Sequence, residues 1–437
     1  MKLLLHPNDT LTNKISFYHL VAFVVALPFD QFYSELALVS FLLHTLITLK
    51  KENVRNLFRK EVLLLVSVFL LAVVGALYTT NKTEAFKLLS RQLAMLLFPV
   101  LLFINPIELK KYTKPILHYF AFSCTFAVAY LFADALRIIR FHHLPLSSLL
   151  TPAFQNHNFS ESIDLHATYF SLYLALAVAV FLNAFRLEKK TTNKILFAAA
   201  AGLLGLGLLQ SGSRAVLAGV LLMAFVFPFF LQGKQKRLFI AVAALSIATT
   251  LLLIFTVPSF NYRFVNLLRE DLSEKTADLS IADPRLRRWE LALDLVKKAP
   301  LTVYGSGDEV DLLKEKYFDN QLYDSYLHRL NAHNQYLSFL LMGGLGALAV
   351  YLITLFSGLR LATRQRSFVF LSFVLLLLTV SVSENILFLN KGIFFYSFFF
   401  SLFVCTGKKK RKAPVLPQES TTTGNPKRRL LVSTFKI

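Results

Sequence analysis

A single positive charge stands inside a long apolar stretch at 208–227. It is Arg214, and it directly follows a Ser-Gly-Ser motif at 211–213. Ser-Gly-Ser is typical of a helix break, and one of its serines, such as Ser213, can cap a new helix that begins with Arg214. Free helix N–H groups and a forked guanidinium would then converge, which favours phosphate binding. The alternative interpretation is an arginine that anchors the helix end among lipid headgroups.

A histidine and an asparagine, His333 and Asn334, open a second apolar stretch, AHNQYLSFLLMGGLGALAVYL. A neutral imidazole can take a proton from a hydroxyl group, so His333 is a candidate general base. The alternative interpretation is that His333 caps the helix or lies at a membrane interface. The GGLG sequence at 343–346 is predicted to allow close packing between helices.

Three arginines, Arg285, Arg287 and Arg288, fall within four positions of the sequence DPRLRRWELALDLVKKAP. On a helix, Arg285 and Arg288 share one face a turn apart and can grip a pyrophosphate or a lipid headgroup. The alternative interpretation is a basic face in water. Further along the chain, the GSGD sequence at 305–308 is predicted to form a turn.

Two more polar residues, His166 and Tyr169, open an apolar segment in DLHATYFSLYL, and the alternative to substrate contact is anchoring at the membrane interface. Three acidic residues are predicted to lie in a solvated stretch: Asp308, Glu309 and Asp311. The alternative interpretation is that they bind a divalent cation. The sequence has no His-Glu-x-x-His motif, Walker loop or dinucleotide fingerprint, which argues against hydrolysis of cytoplasmic ATP.

The composition places these residues in a membrane protein. Of the 437 residues 55% are hydrophobic and only 17% are charged, whereas a soluble domain has about 45–50% apolar and about 25% charged residues. Twelve apolar segments approach or reach the length of about 20 residues that a spanning helix needs. They lie at about 15–32, 35–49, 61–79, 88–104, 115–136, 166–185, 195–211, 213–231, 238–257, 334–357, 367–382 and 386–405.

Positive charge is distributed unevenly between the two sides of these segments. With the N-terminus in the cytoplasm, Lys and Arg cluster in the inside connections and in the tail, while the short outside connections carry almost none. This pattern follows the positive-inside rule and predicts that both termini are cytoplasmic. The formal net charge of +21 is then explained by flanks that face anionic lipid, and no nucleic-acid partner is predicted.

Four regions are predicted: a membrane domain at 1–257, an outer loop subdomain at 258–333, a second membrane part at 334–405 and a basic, disordered tail at 406–437. The loop is too long for a plain connector. It contains a predicted helix with Asp283 as its N-cap, Pro284 in its first turn and Pro300 as its stop. The apolar face of that helix is predicted from spacing: Leu286, Trp289, Leu293 and Val296.

Taken in order, these motifs resemble the O-antigen ligase and polymerase superfamily of bacterial envelope glycosyltransferases. The matching sequences are SGSRAVLAG, the pair Arg285 and Trp289 with Pro300, Gly305 and Gly307 downstream, and HNQYLSFLLMGGLGALAVYL. HATYFSLYL is similar to the start of an earlier span in that superfamily. The resemblance covers about 160–355 in motifs and the whole chain in topology.

The resemblance implies an all-α polytopic membrane protein with about 12 transmembrane helices and one long periplasmic loop, similar to the GT-C glycosyltransferases. It implies a glycan donor on undecaprenyl pyrophosphate, an acceptor hydroxyl on lipid A-core or another glycan, and an inverting, metal-independent transfer without a cofactor. Catalysis would take place at the periplasmic face of the bacterial inner membrane.

The same resemblance assigns roles to individual residues. Arg214 and Arg285 would hold the pyrophosphate, with Arg288 as a substitute for Arg285, and His333 would be the base or orienting group for the acceptor hydroxyl. Four further residues would contact the substrate: Ser213, Asn334, His166 and Tyr169. An O-antigen ligase is the function predicted first.

Three other functions compete with a ligase. A polysaccharide polymerase or a protein O-oligosaccharyltransferase of the same superfamily is not separated from it by sequence. A transporter of lipid-linked glycan would also suit twelve spans, but transporters place ionisable residues and broken helices near the membrane midplane. Here the ionisable residues lie mostly at the ends of the apolar segments. The remaining alternative is a structural scaffold in the membrane.

Overall fold

The computed structural model describes residues 9–272, 283–298 and 304–407. Over these ranges the chain consists of helices and connecting loops and contains no β-strand, which confirms the all-α class. The part of the chain up to Gly407 forms one compact unit. The predicted tail lies outside the described residues beyond that glycine, and the division of the preceding chain into membrane and loop regions stays a prediction.

In the described part of the chain, fifteen helices have ten or more residues. They are α1 (Leu11–Ala26), α2 (Gln31–Ile47), α3 (Lys60–Tyr78), α4 (Lys82–Gln92), α5 (Ala94–Ile104), α6 (Leu109–Phe141), α7 (Ala167–Leu187), α8 (Thr191–Ser211), α9 (Arg214–Val226), α10 (Gly233–Thr256), α11 (Arg285–Lys298), α12 (Glu309–Asp319), α13 (Gln335–Arg364), α14 (Phe368–Val380) and α15 (Asn390–Thr406). Helices α11 and α12 belong to the long loop, and the others coincide with the twelve predicted apolar segments.

Seven of the described helices, with α4 and α5 taken together, are long and apolar enough to cross a membrane. An eighth crossing results if α2 and its continuation Lys51–Phe58, which is bent by 119°, form one span. The remaining apolar helices have 17 residues or fewer: α1, α9 with its extension to Phe230, α14 and α15. These helices support a multi-pass membrane protein, whereas twelve crossings and the GT-C fold stay predictions.

Aromatic side chains fill the centre of the bundle. Helix α15 is buried along nearly its whole length, as expected for a helix that is apolar on every side. Its Phe395 packs against Phe399 and against Phe373 of α14, with ring centroids 5.2 and 5.3 Å apart. By contrast, α10 has no buried residue, so it lies at the edge of the bundle.

The GGLG sequence breaks helix α13 rather than packing it against a neighbour. Gly343 has φ −148° and ψ 25°, and Gly344 has φ 61° and ψ −156°, a combination that only glycine adopts readily. A Cβ atom on Gly346 would meet open space. The prediction of close packing at this sequence is therefore wrong.

The break leaves carbonyl groups of α13 without helical partners, and these groups accept hydrogen bonds from other parts of the chain. The backbone N–H of Tyr304 donates to Leu341 O at 3.2 Å, and that of Gly305 donates to Met342 O at 3.1 Å. The hydroxyl of Tyr78 also donates to Met342 O, at 2.9 Å. The break thus attaches the long loop to α13 and α3.

Asp308 ties the same part of the loop to the connection between α3 and α4. Its carboxylate accepts hydrogen bonds from Thr80 N, Thr80 Oγ1 and Asn81 N at 2.9, 2.8 and 2.7 Å. Burial alone would raise the pKa of Asp308, but these hydrogen bonds outweigh it and lower that pKa. The adjacent Gly307 is needed for the close approach, since a Cβ there would lie 2.1 Å from Asn81 O.

Glu309 is buried between the loop and α13. Its carboxylate accepts from Ser338 Oγ at 2.7 Å and from Ala332 N at 3.2 Å, and burial raises its pKa. The carboxylate of Asp311 accepts hydrogen bonds from Nη2 of Arg329 and Nδ2 of Asn81, each at 2.6 Å. The predicted solvated acidic stretch is wrong for Asp308 and Glu309, since both are buried and bonded to the protein.

Helix α11 begins at Arg285, but its predicted N-cap is wrong. The carboxylate of Asp283 accepts instead from Ser325 N at 2.7 Å, across the loop. The predicted apolar face of α11 is right in part, since Trp289 and Val296 pack against the hydrophobic cluster of the loop. The buried side chains of α11 are Arg288, Leu291, Ala292 and Leu295, while Leu293 is exposed. The predicted stop at Pro300 lies outside the described residues.

Candidate functional site

The turn before Arg214 forms as local sequence predicts, apart from its cap. Helix α8 ends at Ser211, its C-cap Gly212 has φ 58° in the left-handed region, and α9 begins with Arg214. Ser213 occupies the N-cap position but makes no capping hydrogen bond through its side chain. Ser211 Oγ donates back to Gly207 O at 2.8 Å. The prediction that a serine caps α9 is therefore wrong, and among the described residues no side chain accepts a hydrogen bond from its first N–H groups.

Arg214 and Arg285 share one carboxylate. Nη2 of Arg214 forms a short ion pair with Oδ2 of Asp271, and Nε of Arg285 lies 3.8 Å from the same oxygen. Asp271 is the last residue of a short helix, Leu267–Asp271. Two arginines that are 71 positions apart in sequence are thereby brought to one place by the long loop.

Arg285 and His333 share a second carboxylate. Nη2 of Arg285 lies 3.7 Å from Oε1 of Glu384, and Nδ1 of His333 lies 3.3 Å from Oε2. Burial alone would raise the pKa of Glu384, but the hydrogen bond and charge of His333 and the charge of Arg285 outweigh it and lower that pKa. Glu384 is therefore an ionised partner for His333 at neutral pH.

The connection between α14 and α15, which carries Glu384, is fixed against the start of α13. Gln335 N donates to Ser381 O at 2.9 Å, and the side-chain oxygen of Gln335 accepts from Leu387 N at 2.8 Å. The side chain of Asn385 donates to Ser338 Oγ at 2.8 Å. These bonds fix the positions of Glu384 and His333 relative to each other.

His333 is held in an unfavourable backbone conformation. Its φ is 47°, which is uncommon for a residue other than glycine and costs energy that the surroundings must supply. Its N–H donates to Asn331 Oδ1 at 2.9 Å, and the preceding Ala332 O accepts from Trp289 Nε1 at 3.0 Å. Helix α13 is capped by Asn334, whose Oδ1 accepts hydrogen bonds from Tyr336 N and Leu337 N, so His333 is not its cap.

Arg263 is a third cation at this site. Its Nε donates to Gly212 O at 3.2 Å, in the turn that precedes Arg214. Burial, together with the like charges of Arg214 and Arg285, lowers its pKa to about 10, so it remains charged at neutral pH. Three guanidinium groups thus lie around Asp271 and Glu384.

His166 and Tyr169 lie beside the cluster on α7. His166 Nδ1 accepts from Thr168 N at 3.3 Å and caps α7, and its ring lies 4.2 Å from that of His157. Burial lowers the pKa of both His166 and His157. Tyr169 is buried, and its hydroxyl donates to Asn385 O at 3.2 Å, next to Glu384.

The other two arginines of α11 point elsewhere. Arg287 pairs with Glu290 at 2.8 Å and with Asn320 at 3.3 Å. Arg288 is only 6% exposed, and its Nε and Nη1 have no hydrogen-bond partner among the described residues. Burial lowers the pKa of Arg288. Of the three, Arg285 alone reaches both carboxylates of the cluster within the described residues.

The cluster combines the groups needed to bind an anion and to deprotonate a hydroxyl. Nη1 of Arg214 is buried and has no hydrogen-bond partner in the described part of the chain. With Nδ1–H donated to Glu384, Nε2 of His333 carries the lone pair. Across the described ranges, no group of three or more His, Cys, Asp or Glu residues has a metal-binding arrangement.

Sequence reasoning named Arg214, Arg285 and His333, and the structure brings all three together. It missed their acidic partners and two further basic groups: Asp271, Glu384, Arg263 and His157. A signal existed for Glu384, which is the only charged residue between Arg366 and Lys391. The other three lie in polar loops, where composition does not distinguish them from neighbouring residues.

Comparison with known families covers the segment that carries both arginines, Asp271 and His333, while Glu384 lies beyond it. Residues 198–352 match the model of the O-antigen ligase family, a range that includes the Arg214 turn, α11 and His333. The predicted resemblance to the O-antigen ligase and polymerase superfamily is thus confirmed. No curated protein matches the chain. The family supports a glycosyltransferase-like enzyme with a lipid-linked glycan and a glycan acceptor as its general partners.

Proposed function

We propose that this chain, a member of the O-antigen ligase superfamily, transfers a glycan from undecaprenyl pyrophosphate to a sugar hydroxyl of lipid A-core. One observation carries the proposal: Arg214, Arg285 and His333 come from three separate elements and meet around two carboxylates. A cationic clamp beside a base is the arrangement that direct displacement of a pyrophosphate needs.

The donor pyrophosphate takes the place that Asp271 holds between Arg214 and Arg285. A carboxylate and a phosphate carry the same sign of charge and both suit a guanidinium fork, so Asp271 marks where an anion is stabilised. Arg263 adds a third positive charge, and the first N–H groups of α9 favour an anion as well. When the donor binds, its two phosphates replace one carboxylate and use the unpaired Nη1 of Arg214.

Transfer is a single displacement at the anomeric carbon. The acceptor oxygen attacks that carbon and gives its proton to Nε2 of His333, while the bond to the phosphate oxygen breaks and its electron pair leaves with undecaprenyl pyrophosphate. Attack from the face opposite the leaving group inverts the anomeric configuration. The guanidinium groups stabilise the charge that develops on the leaving group, so the proposed reaction is metal-independent.

The location follows from the distribution of positive charge. The basic connections and termini are proposed to face the cytoplasm, which puts the cluster at the periplasmic face of the inner membrane. There the donor keeps its lipid chain in the bilayer while its pyrophosphate meets the arginines at the helix ends. The energy of transfer comes from the donor, so no ATP is required.

The test is to delete the gene, restore it with variants and separate the lipopolysaccharide on a gel. Wild-type protein should restore the polysaccharide ladder, and Arg214→Ala and His333→Ala should leave polymer on the carrier lipid. Arg269→Ala and His328→Ala are matched controls, because both side chains are exposed and outside the cluster. A deletion strain that attaches a single repeat unit to core would identify a polymerase, and an unchanged ladder would refute the proposal.

A further inference from the structure

A polar cavity lies next to the cluster, and His166 and Tyr169 form part of its wall. It has a volume of about 310 Å³ and is lined in part by Arg91, Asp164, Asn390 and Lys391. Small-molecule sites are typically about 300–1,000 Å³, so this cavity has room for one or two sugar rings. The pyrophosphate clamp does not use any of these four residues.

The cavity and the cluster share a wall. His166 and Tyr169 both line the cavity, the charges of Glu384 and Arg285 act on His166, and the Tyr169 hydroxyl bonds to the residue after Glu384. A molecule in the cavity would therefore be separated from the cluster only by His166 and Tyr169. This is the position that an acceptor needs when the donor occupies the arginines.

The polar groups of the cavity are open to a ligand. The side chains of Arg91 and Asp164 line it and belong to exposed residues. Oδ1 of Asn390 is buried and lacks a hydrogen-bond donor among the described residues. A buried acceptor without a partner is costly unless a ligand or water supplies the missing hydrogen bond.

Positive and negative charges are balanced around the cavity. Lys391 is 7% exposed, and the charges of Asp30, Asp164 and Glu35 act on it. Arg91 and Lys391 are the two cations of the lining, and Asp164 is its carboxylate. Two further carboxylates, Asp30 and Glu35, act on Lys391 from behind the lining. This mixture of donors and acceptors suits a neutral molecule with many hydroxyl groups better than a phosphate, which needs an excess of positive charge.

We propose that this cavity is the binding site for the neutral sugar at the end of the acceptor glycan. Arg91 donates to sugar oxygens, Asp164 and Asn390 Oδ1 accept from sugar hydroxyls, and the reacting hydroxyl extends past His166 to His333. The inference rests on the proposed glycosyl transfer for the identity of the acceptor, but the sugar site itself can be tested without transfer.

The kinetic test uses Arg91→Ala and Asp164→Ala in the full-length protein. The KM for the acceptor should rise about tenfold or more, since a hydrogen bond to a charged group is worth at least that factor. The KM for the donor should not change. Lys87→Ala is the matched control, because Lys87 is on the same helix as Arg91, pairs with Glu84 and does not line the cavity. Lys391 is left intact because its Nζ bonds to Leu27 O and Phe29 O and braces the α1–α2 connection.

The binding test titrates methyl hexopyranosides into purified protein in nanodiscs of neutral lipid, followed by calorimetry. Saturable binding that Arg91→Ala and Asp164→Ala both weaken would support the sugar site even if the protein transfers no glycan. Transfer with unchanged acceptor KM in both variants would overturn the sugar site and leave the proposed function intact. A rise in donor KM, preference for a hexose phosphate, or displacement of the sugar by phosphatidylglycerol would each overturn it too.

Discussion

Nδ1 of His333 lies 3.3 Å from Oε2 of Glu384, a residue 51 positions further along the chain. The contact joins the start of α13 to the connection between α14 and α15, and it decides which imidazole nitrogen is available. Because Nδ1–H is donated to the carboxylate, Nε2 is left to accept a proton. The contact makes Glu384 a positioning residue for His333 in the proposed transfer.

Replacing Glu384 with glutamine should lower kcat for glycan transfer about 100-fold, within the range that a positioned general base contributes. Glutamine keeps the shape but can present an N–H to His333 and favour the wrong tautomer. Glu384→Asp keeps the charge with a shorter reach and should recover part of the rate. The measurement is kcat for each variant, with thermal unfolding as the control. A glutamine variant with wild-type kcat would remove Glu384 from the mechanism.

The lowered pKa of Glu384 predicts a dependence of stability on pH. A carboxylate whose folded pKa lies below its ordinary value of 4.5 adds stability that is fully present above that value and is lost as pH falls through the folded pKa. Between about pH 6 and about pH 3, wild-type protein should therefore lose more thermal stability than Glu384→Gln. The difference is measured from unfolding temperatures in detergent. Parallel curves for the two proteins would contradict it.

Arg285 and Arg287 lie on the same helix but have different partners, which makes them a matched pair. Arg285→Ala should lower kcat/KM about 100-fold, since it removes one cation from the pyrophosphate clamp. Arg287→Ala breaks only a pair with Glu290 and a bond to Asn320 and should stay within about threefold of wild type. Equal losses in both variants would mean that α11 acts through its overall charge.

Asp271 holds the position that we assign to the donor pyrophosphate. Asp271→Asn removes the competing carboxylate, and the KM for the donor should fall by up to about tenfold, because a half-buried ion pair no longer has to be broken. Asp324→Asn is the control, since Asp324 pairs with the exposed His328. A higher donor KM in Asp271→Asn would show that the carboxylate orients the arginines instead of competing with the donor.

The break in α13 provides a test of the fold. Gly344 has φ 61°, so Gly344→Ala should destabilise the protein by about 1–3 kcal/mol through backbone strain. Gly346→Ala is two positions away and would meet open space, so its unfolding temperature should stay at the wild-type value or rise slightly. Thermal unfolding of both variants checks this, and a straight α13 would tolerate both changes alike.

The local sequence determined the helices and the Arg214 turn. Hydrogen bonds within a helix and the apolar side chains of a spanning segment are properties of neighbouring residues, so the apolar segments and the left-handed Gly212 could be read without tertiary contacts. The same reasoning found Arg214 and His333, because a charged or ionisable residue at the end of an apolar segment is conspicuous in sequence. Arg285 was found as one of three arginines within four positions.

The tertiary structure alone decided which residues those three would meet. Asp271 contacts Arg214, and Glu384 contacts His333, across 57 and 51 positions of sequence, and no local pattern encodes such distances. Asp308 and Glu309 looked solvated for the same reason, since their partners lie in the α3–α4 connection and at or just before the start of α13. The Gly-Gly pair permits a break or a packed helix equally well. It breaks because Tyr304, Gly305 and Tyr78 supply the hydrogen bonds that the helix gives up.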